Sequence, residues 1–273
     1  DIAPDVVCGG STTNSLAATS NFGSKCAHIC QLANDARGKF YEDNLKENGI
    51  SSINGFYHDE VRTGRCLVFI TPSSERTMGT YLGASEKLVF NPDFIEVANS
   101  SKIIFSEGYQ FTSDENFSAF VKILKGTEQA TKFALSLSDP GVVQTFKDRF
   151  KEVFEVRKVD YLFCNKEEAI SLVGDNFVKD LSSIAVNFVV TNGAESSYVV
   201  ENGSYAEIKA KKVQAIDSNG AGDIFAGAAL NKIIEDNSFL NACEFGNYAS
   251  SKIVQEKSPR LSIDQYKMLK ADY

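Results

Sequence analysis

The sequence predicts an α/β protein built around a mostly parallel sheet, and two patterns carry that prediction. Short apolar, β-branched or aromatic runs recur along the chain, and longer stretches with apolar residues every three or four positions separate them, which is the alternation of β-α units. The size agrees. At 273 residues, with 43% hydrophobic and 23% charged side chains, the chain suffices for one large domain, with or without a small appendage. The same balance excludes disordered, collagen-like and disulfide-miniature classes.

Taken in order, the apolar run Cys26 to Leu32 reads as a strand and Gly38 to Asn48 as a helix. Gly55 to Leu82 breaks the rhythm: Arg65 to Ile70 and Thr77 to Tyr81 read as short strands around the turn-rich Thr71-Pro-Ser-Ser74. A small β flap on the edge of the main sheet is expected there, spanning residues 55–82, with the α/β core in 1–54 and 83–273. The rhythm then resumes. Ile103 to Ser106, Ala134 to Leu137, Tyr161 to Cys164 and Phe188 to Thr191 read as strands, with helices expected over Asn116 to Thr131, Val142 to Val153 and Lys166 to Val173. Tyr198 to Val200, followed by Asn202-Gly203, predicts a hairpin.

Several classes of function drop out. Lys plus Arg total 28 against 36 Asp plus Glu, a net charge of −8 with no basic cluster, so no nucleic-acid partner is expected. No run approaches the roughly 20 apolar residues of a membrane span, and Asp1 to Gly10 lack a signal-peptide pattern, so no membrane partner and a cytosolic setting are expected. Cys8, Cys26, Cys30, Cys66, Cys164 and Cys243 include no C-x-x-C pair and are expected to be reduced and buried. Cys26, His28 and Cys30 would share one side of a strand, but three ligands leave Zn²⁺ short of its usual four. With two histidines, a Ser-His-Asp apparatus is disfavoured. Neither a Gly-x-Gly-x-x-Gly fingerprint nor a P-loop is present.

Four segments carry candidate chemistry. Asp217-Ser-Asn-Gly-Ala-Gly-Asp223 leads into the small-residue helix start Ile224 to Leu230. Glycines at a helix N-terminus let N–H groups converge on an anion, and Asp223 would stand beside that anion as a general base for a hydroxyl; a tight turn with Asp223 as a cap is the alternative. Asn165-Lys-Glu-Glu168 follows a strand, so its amide and carboxylate can serve Mg²⁺ at the sheet edge, form a helix cap, or do both. Thr191-Asn-Gly193 ends another strand and suits either a nucleotide contact or a plain turn. Gly9-Gly-Ser-Thr-Thr-Asn14 opens a small-residue helix and suits polyol hydroxyls or a structural turn.

In this order the segments resemble the ribokinase, or PfkB, family of carbohydrate and nucleoside kinases over nearly the whole chain. Arg76 to Ser85, Ser106 to Tyr109 and Leu137 to Pro140 are most similar to its adenosine-kinase-like branch. The resemblance implies a three-layer α/β/α core with a small β lid, and ATP-dependent phosphorylation of a primary hydroxyl on a nucleoside or sugar, with adenosine foremost. It makes Asp223 the base and Asn219, Gly220, Ala221 and Gly222 the anion hole. Asn165 and Glu168 would hold Mg²⁺ largely through water; Asn165, Thr191, Gly193 and Asn247 would line the ATP site; Gly10, Ser11, Asn14 and Glu107 would surround the acceptor. Asp217 is implied as an aid to a monovalent cation, K⁺, in ordering the anion-hole loop.

Two departures from the family pattern stand out. A strand with an Asp that holds the sugar hydroxyls normally precedes the Gly-Gly turn, together with lid strands. Here that turn comes at Gly9, roughly 50 residues early for a family domain of usual size, so the natural chain is expected to begin upstream. Ser196-Ser197 stand where relatives commonly carry a Gly on the nucleotide side. The rival readings are a fructokinase-like or other sugar kinase and a catalytically silent ligand-binding regulator, the oligomeric state standing open between monomer and homodimer.

Overall fold

Strands covered on both faces need apolar side chains on both, and the central sheet is made of such strands. The computed structural model describes residues 6–53, 57–70 and 76–273. Its helices and strands run α1 (Ser11–Asn21), β1 (Cys26–Ile29), β2 (Leu32–Ala33), α2 (Ala36–Glu47), β3 (Ile50–Ile53), β4 (Tyr57–His58), β5 (Arg65–Ile70), β6 (Arg76–Tyr81) and α3 (Asp93–Asn99). There follow β7 (Ile103–Glu107), α4 (Asp114–Gly126), β8 (Lys132–Ser136), α5 (Pro140–Thr145), α6 (Lys147–Val156), β9 (Val159–Asn165), α7 (Lys166–Val173), α8 (Phe177–Leu181) and β10 (Ala185–Thr191). The chain closes with β11 (Ser197–Glu201), β12 (Ser204–Ile208), α9 (Ala221–Ile234), α10 (Phe239–Ile253) and α11 (Ile263–Asp272).

The six-stranded sheet has the order β12-β11-β10-β9-β8-β7. β7 to β10 are parallel, and the β11–β12 hairpin adds antiparallel strands at one edge. Alternate residues divide between two cores, giving the three layers expected. Phe133, Leu135, Leu162, Cys164, Phe188 and Val190 face one layer with Phe120, Phe150 and Leu181 of α4, α6 and α8. Ala134, Phe163 and Val189 face the opposite layer with Phe225, Ala229 and Cys243 of α9 and α10. The hairpin turn places Asn202 at φ 49° and Gly203 at φ 83°, as a tight Asn-Gly connection requires.

Departures from the sequence reading have local causes. The run Cys26 to Leu32 is split: β1 pairs in parallel with β3 and β2 with β4, each apart from the six-stranded sheet. The helix expected to reach Thr131 stops at Gly126, after which Thr127 is extended. Val142 to Val153 divides into α5 and α6 where Phe146 leaves helical geometry at ψ 27°. β5 and β6 are the two short strands expected, and they pair antiparallel as a two-stranded sheet of their own, not hydrogen-bonded to the edge of the six-stranded sheet, while Gly55 and Thr71 to Ser74 lie outside the described residues. Cys164 and Cys243 are buried as expected, but Cys66 is exposed and Cys8, Cys26 and Cys30 are partly so. Cys66 sits on a two-stranded ribbon whose described side chains are exposed on both faces.

Candidate active site

Small residues determine where this site forms. α9 is apolar nearly all round and carries Ala226-Gly-Ala-Ala229 where α1 crosses it. A Cβ on Gly227 would stand 2.3 Å from the Ser15 carbonyl oxygen, so the close crossing requires glycine. Thr19 of α1 donates to the Gly227 carbonyl at 2.9 Å and fixes the contact. The crossing brings the first turns of the two helices together.

Asp223, in the first turn of α9, therefore meets residues more than 200 positions away. Ser11 Oγ donates to its Oδ1 at 2.7 Å, and Asn14 Nδ2 donates to its Oδ2 at 2.7 Å. Burial raises the Asp223 pKa, and Asn14, Ser11 and the Arg260 charge oppose that rise. Gly220 precedes α9 at φ 77°, where a Cβ would come 2.4 Å from the Pro259 carbonyl oxygen, so the turn admits glycine alone. Within the expected anion hole, Asn219 N–H turns inward to Asp217 Oδ1 at 2.7 Å and Ala221 N–H to Ser218 O at 3.2 Å. Among the described residues, the N–H groups of Gly220, Gly222 and Asp223 have no acceptor, and a Cβ on Gly222 would meet open space. Donors without partners at a helix N-terminus suit an anion.

The carboxyl ends of the parallel strands supply the rest, where α/β sheets bind ligands. Glu107 ends β7, is 5% exposed, and leaves Oε2 without a hydrogen-bond partner. Burial pushes its pKa up to about 7, with the Asp223 charge adding to the rise. Asn165 ends β9 and caps α7: its Oδ1 accepts from Glu168 N–H at 2.9 Å, while Glu168 accepts from Asn165 N–H and from its Nδ2 at 3.0 and 2.7 Å. The cap is thus real, and it also holds Glu168 buried, with its pKa pushed up to about 7 by burial first and by Asp139 and Glu167 after. Asn165, Thr191 and Gly193 line one cleft of about 330 Å³ with Lys166, Glu167 and Asn192. Burial pushes the Tyr109 pKa up to about 12, and the charges of Asp139, Glu107, Glu168 and Asp223 add to the rise.

The expected residues gather in two places: Ser11 and Asn14 bond to Asp223, with Gly10 at the start of α1 and Glu107 close enough to feel the Asp223 charge, while Asn165, Thr191 and Gly193 line the cleft, with Glu168 bonded to Asn165. Asn247, on α10, donates to the Lys209 carbonyl at 3.0 Å, and Asp217 accepts from Asn219 N–H in its own loop. Sequence reasoning missed Arg260, which donates to Asn14 Oδ1 at 2.6 Å; Ser258-Pro-Arg260 carries no motif that signals it. Glu168 accepts from Asn165 through both carboxylate oxygens, and each oxygen retains a lone pair. That donor set fits a hydrated Mg²⁺ reached through water, not a protein cage, since no cluster of three His, Cys, Asp or Glu exists among the described residues.

Comparison with known proteins places this geometry in a class. The pfkB family carbohydrate kinase model matches residues 4–265. Adenosine kinase of Saccharomyces cerevisiae is 24% identical over 279 residues, covering 93% of this chain and 79% of that protein. Ribokinase of Haemophilus influenzae is 25% identical over 273 residues, covering 94% of this chain and 84% of that protein. The crystal structure of adenosine kinase from Sinorhizobium meliloti superposes with a TM-score of 0.88 at 25% identity, over 99% of this chain and 85% of that one. The fold and these matches define a small-molecule kinase of the carbohydrate and nucleoside class. The chain belongs to the pfkB family of carbohydrate kinases.

Proposed function

We propose that this kinase transfers the γ-phosphoryl group of ATP to the primary hydroxyl of a nucleoside, with adenosine the leading acceptor. The observation that carries the reading is Asp223, a half-buried carboxylate that already accepts a hydroxyl hydrogen bond from Ser11 at 2.7 Å beside N–H groups with no other acceptor among the described residues. An acceptor hydroxyl taking the place of Ser11 Oγ gives its proton to Asp223 while its oxygen attacks the γ-phosphorus and ADP leaves. The N–H groups of Gly220 and Gly222 stabilise the charge that develops on the transferred group, with Asn219 and Ala221 shaping the turn. Gly10, Ser11, Asn14 and Glu107 orient the acceptor. Asn165, Thr191, Gly193 and Asn247 border the nucleotide.

Mg²⁺ supplies charge neutralisation on the ATP phosphates when bound, and Glu168 with Asn165 orients water around it; Asp217 assists a monovalent cation, K⁺, at the anion-hole loop. Residues 55–82 act as the lid that excludes water, and the setting is cytoplasmic. Adenosine leads because two of the similar proteins are adenosine kinases, one aligned over 99% of this chain.

ADP release with Mg²⁺-ATP across a panel of nucleosides and sugars tests the reading. The expected result is a strong signal with adenosine; preference for a ketose or ribose would move the chain to the sugar kinases, and silence with ATP bound to a regulatory role. Glu168→Gln is expected to raise the Mg²⁺ concentration for half-maximal rate, and an unchanged Mg²⁺ titration would remove Glu168 from the metal's surroundings.

A further inference from the structure

We propose that Arg260 is a positioning residue of this site, locking the Asn14 amide so that its NH₂ group, and not its oxygen, faces Asp223. The proposal rests on Asp223 being the proton acceptor. Arg260 Nε donates to Asn14 Oδ1 at 2.6 Å, one Nη to Asn44 Oδ1 at 2.8 Å and the other Nη to the Gly9 carbonyl at 3.3 Å. These acceptors belong to α1, α2 and the Gly-Gly turn, so the planar fork is held on three sides. A guanidinium has donors only, which forces Asn14 to present its oxygen to Arg260. The Nδ2 group is then left to donate to Asp223 Oδ2, as it does at 2.7 Å. The opposite amide orientation would set oxygen against carboxylate and NH₂ against guanidinium, losing both bonds. Pro259, the residue before Arg260, packs on Gly220, so one short loop supports both the base and the turn beside it.

Asp223 is faced by Ser11 and Asn14 from α1, by Glu107 from β7, by Tyr109 just after it, by Tyr266 from α11 and by Arg260. Glu107 repels its charge, and Arg260 with the locked amide sustains it. Without Arg260 the amide is free to turn, and the carboxyl holds its proton to higher pH.

The test follows the ¹³C carboxyl signal of Asp223, assigned by its loss in Asp223→Asn, through a pH titration of the full chain, beside steady-state kinetics. Arg260→Gln is expected to move the Asp223 midpoint upward and to lower kcat on the order of 10- to 100-fold, with KM for ATP held within about twofold. Arg260→Lys restores charge without the fork, so the midpoint returns toward the wild-type value while kcat stays reduced. An unmoved midpoint in Arg260→Gln overturns the proposal, whether or not activity falls, because loss of activity alone would mark a structural role. If Arg260→Gln does not fold, Arg260→Lys decides: reduced kcat supports the fork and wild-type kcat overturns it. A fully active Asp223→Asn would instead overturn the base assignment, which the midpoint shift does not depend on.

Discussion

Gly227→Ala tests whether the α1–α9 crossing builds the site. In an exposed helix this substitution would stabilise by roughly 0.5–1 kcal/mol, because glycine has the greater freedom to lose on folding. Here the added methyl would stand 2.3 Å from Ser15 O and 2.7 Å from Ala18 Cβ, where ordinary contact begins at 3.4 Å. The helices must part by about 1 Å, and overpacking of this kind costs about 1–3 kcal/mol. The net effect is destabilisation of up to about 2.5 kcal/mol, a fall in Tm of up to roughly 10 °C for a domain of this size. The same movement stretches the 2.7 Å bonds from Ser11 and Asn14 to Asp223. A displacement near 1 Å at a reacting group lowers kcat by up to about 100-fold. Thermal unfolding and ADP release measure the two effects. A variant at least as stable as the wild type with unchanged kcat would refute the claim that this crossing sets the geometry.

Two further outcomes follow from single positions. Gly220→Ala forces a side chain onto φ 77° and against Pro259 O, so both stability and turnover are expected to fall, and a variant retaining wild-type kcat would show that the turn tolerates rearrangement. Glu107 has its pKa raised from 4.5 to about 7, so the folded chain holds a proton that the unfolded chain releases as pH rises through that window. Its cost to stability is therefore absent below about pH 4.5, grows to about pH 7 and is constant above. The denaturation free energy of the wild type minus that of Glu107→Gln should fall between pH 5 and 7 by this reasoning; a difference independent of pH would contradict the burial assigned to Glu107.

The parts of the fold legible in the sequence are those governed by local pattern. β8, β9 and β10 were readable because strands between two helical layers must be apolar on both faces, and the β11–β12 turn because Asn202-Gly203 suits left-handed backbone. The run Cys26 to Leu32 misled because apolar continuity does not say which strand a segment pairs with; β1 and β2 pair with different partners. Asn165 and Glu168 were visible as a cap because capping is local. The union of Asp223 with Ser11 and Asn14 is a long-range product of helix packing, foreseen through family resemblance and not through spacing. Arg260 lies 246 positions from Asn14, in a segment with no periodic or turn signature, and only the tertiary structure joins them.

The account turns on Asp223 as the proton acceptor, and Asp223→Asn, which keeps the volume and removes the charge, addresses it directly. ATP affinity and Tm measured beside turnover with the best acceptor should show a folded, ATP-binding protein whose kcat has fallen roughly 10²- to 10⁴-fold. Turnover within a few-fold of wild type in that variant would contradict the account.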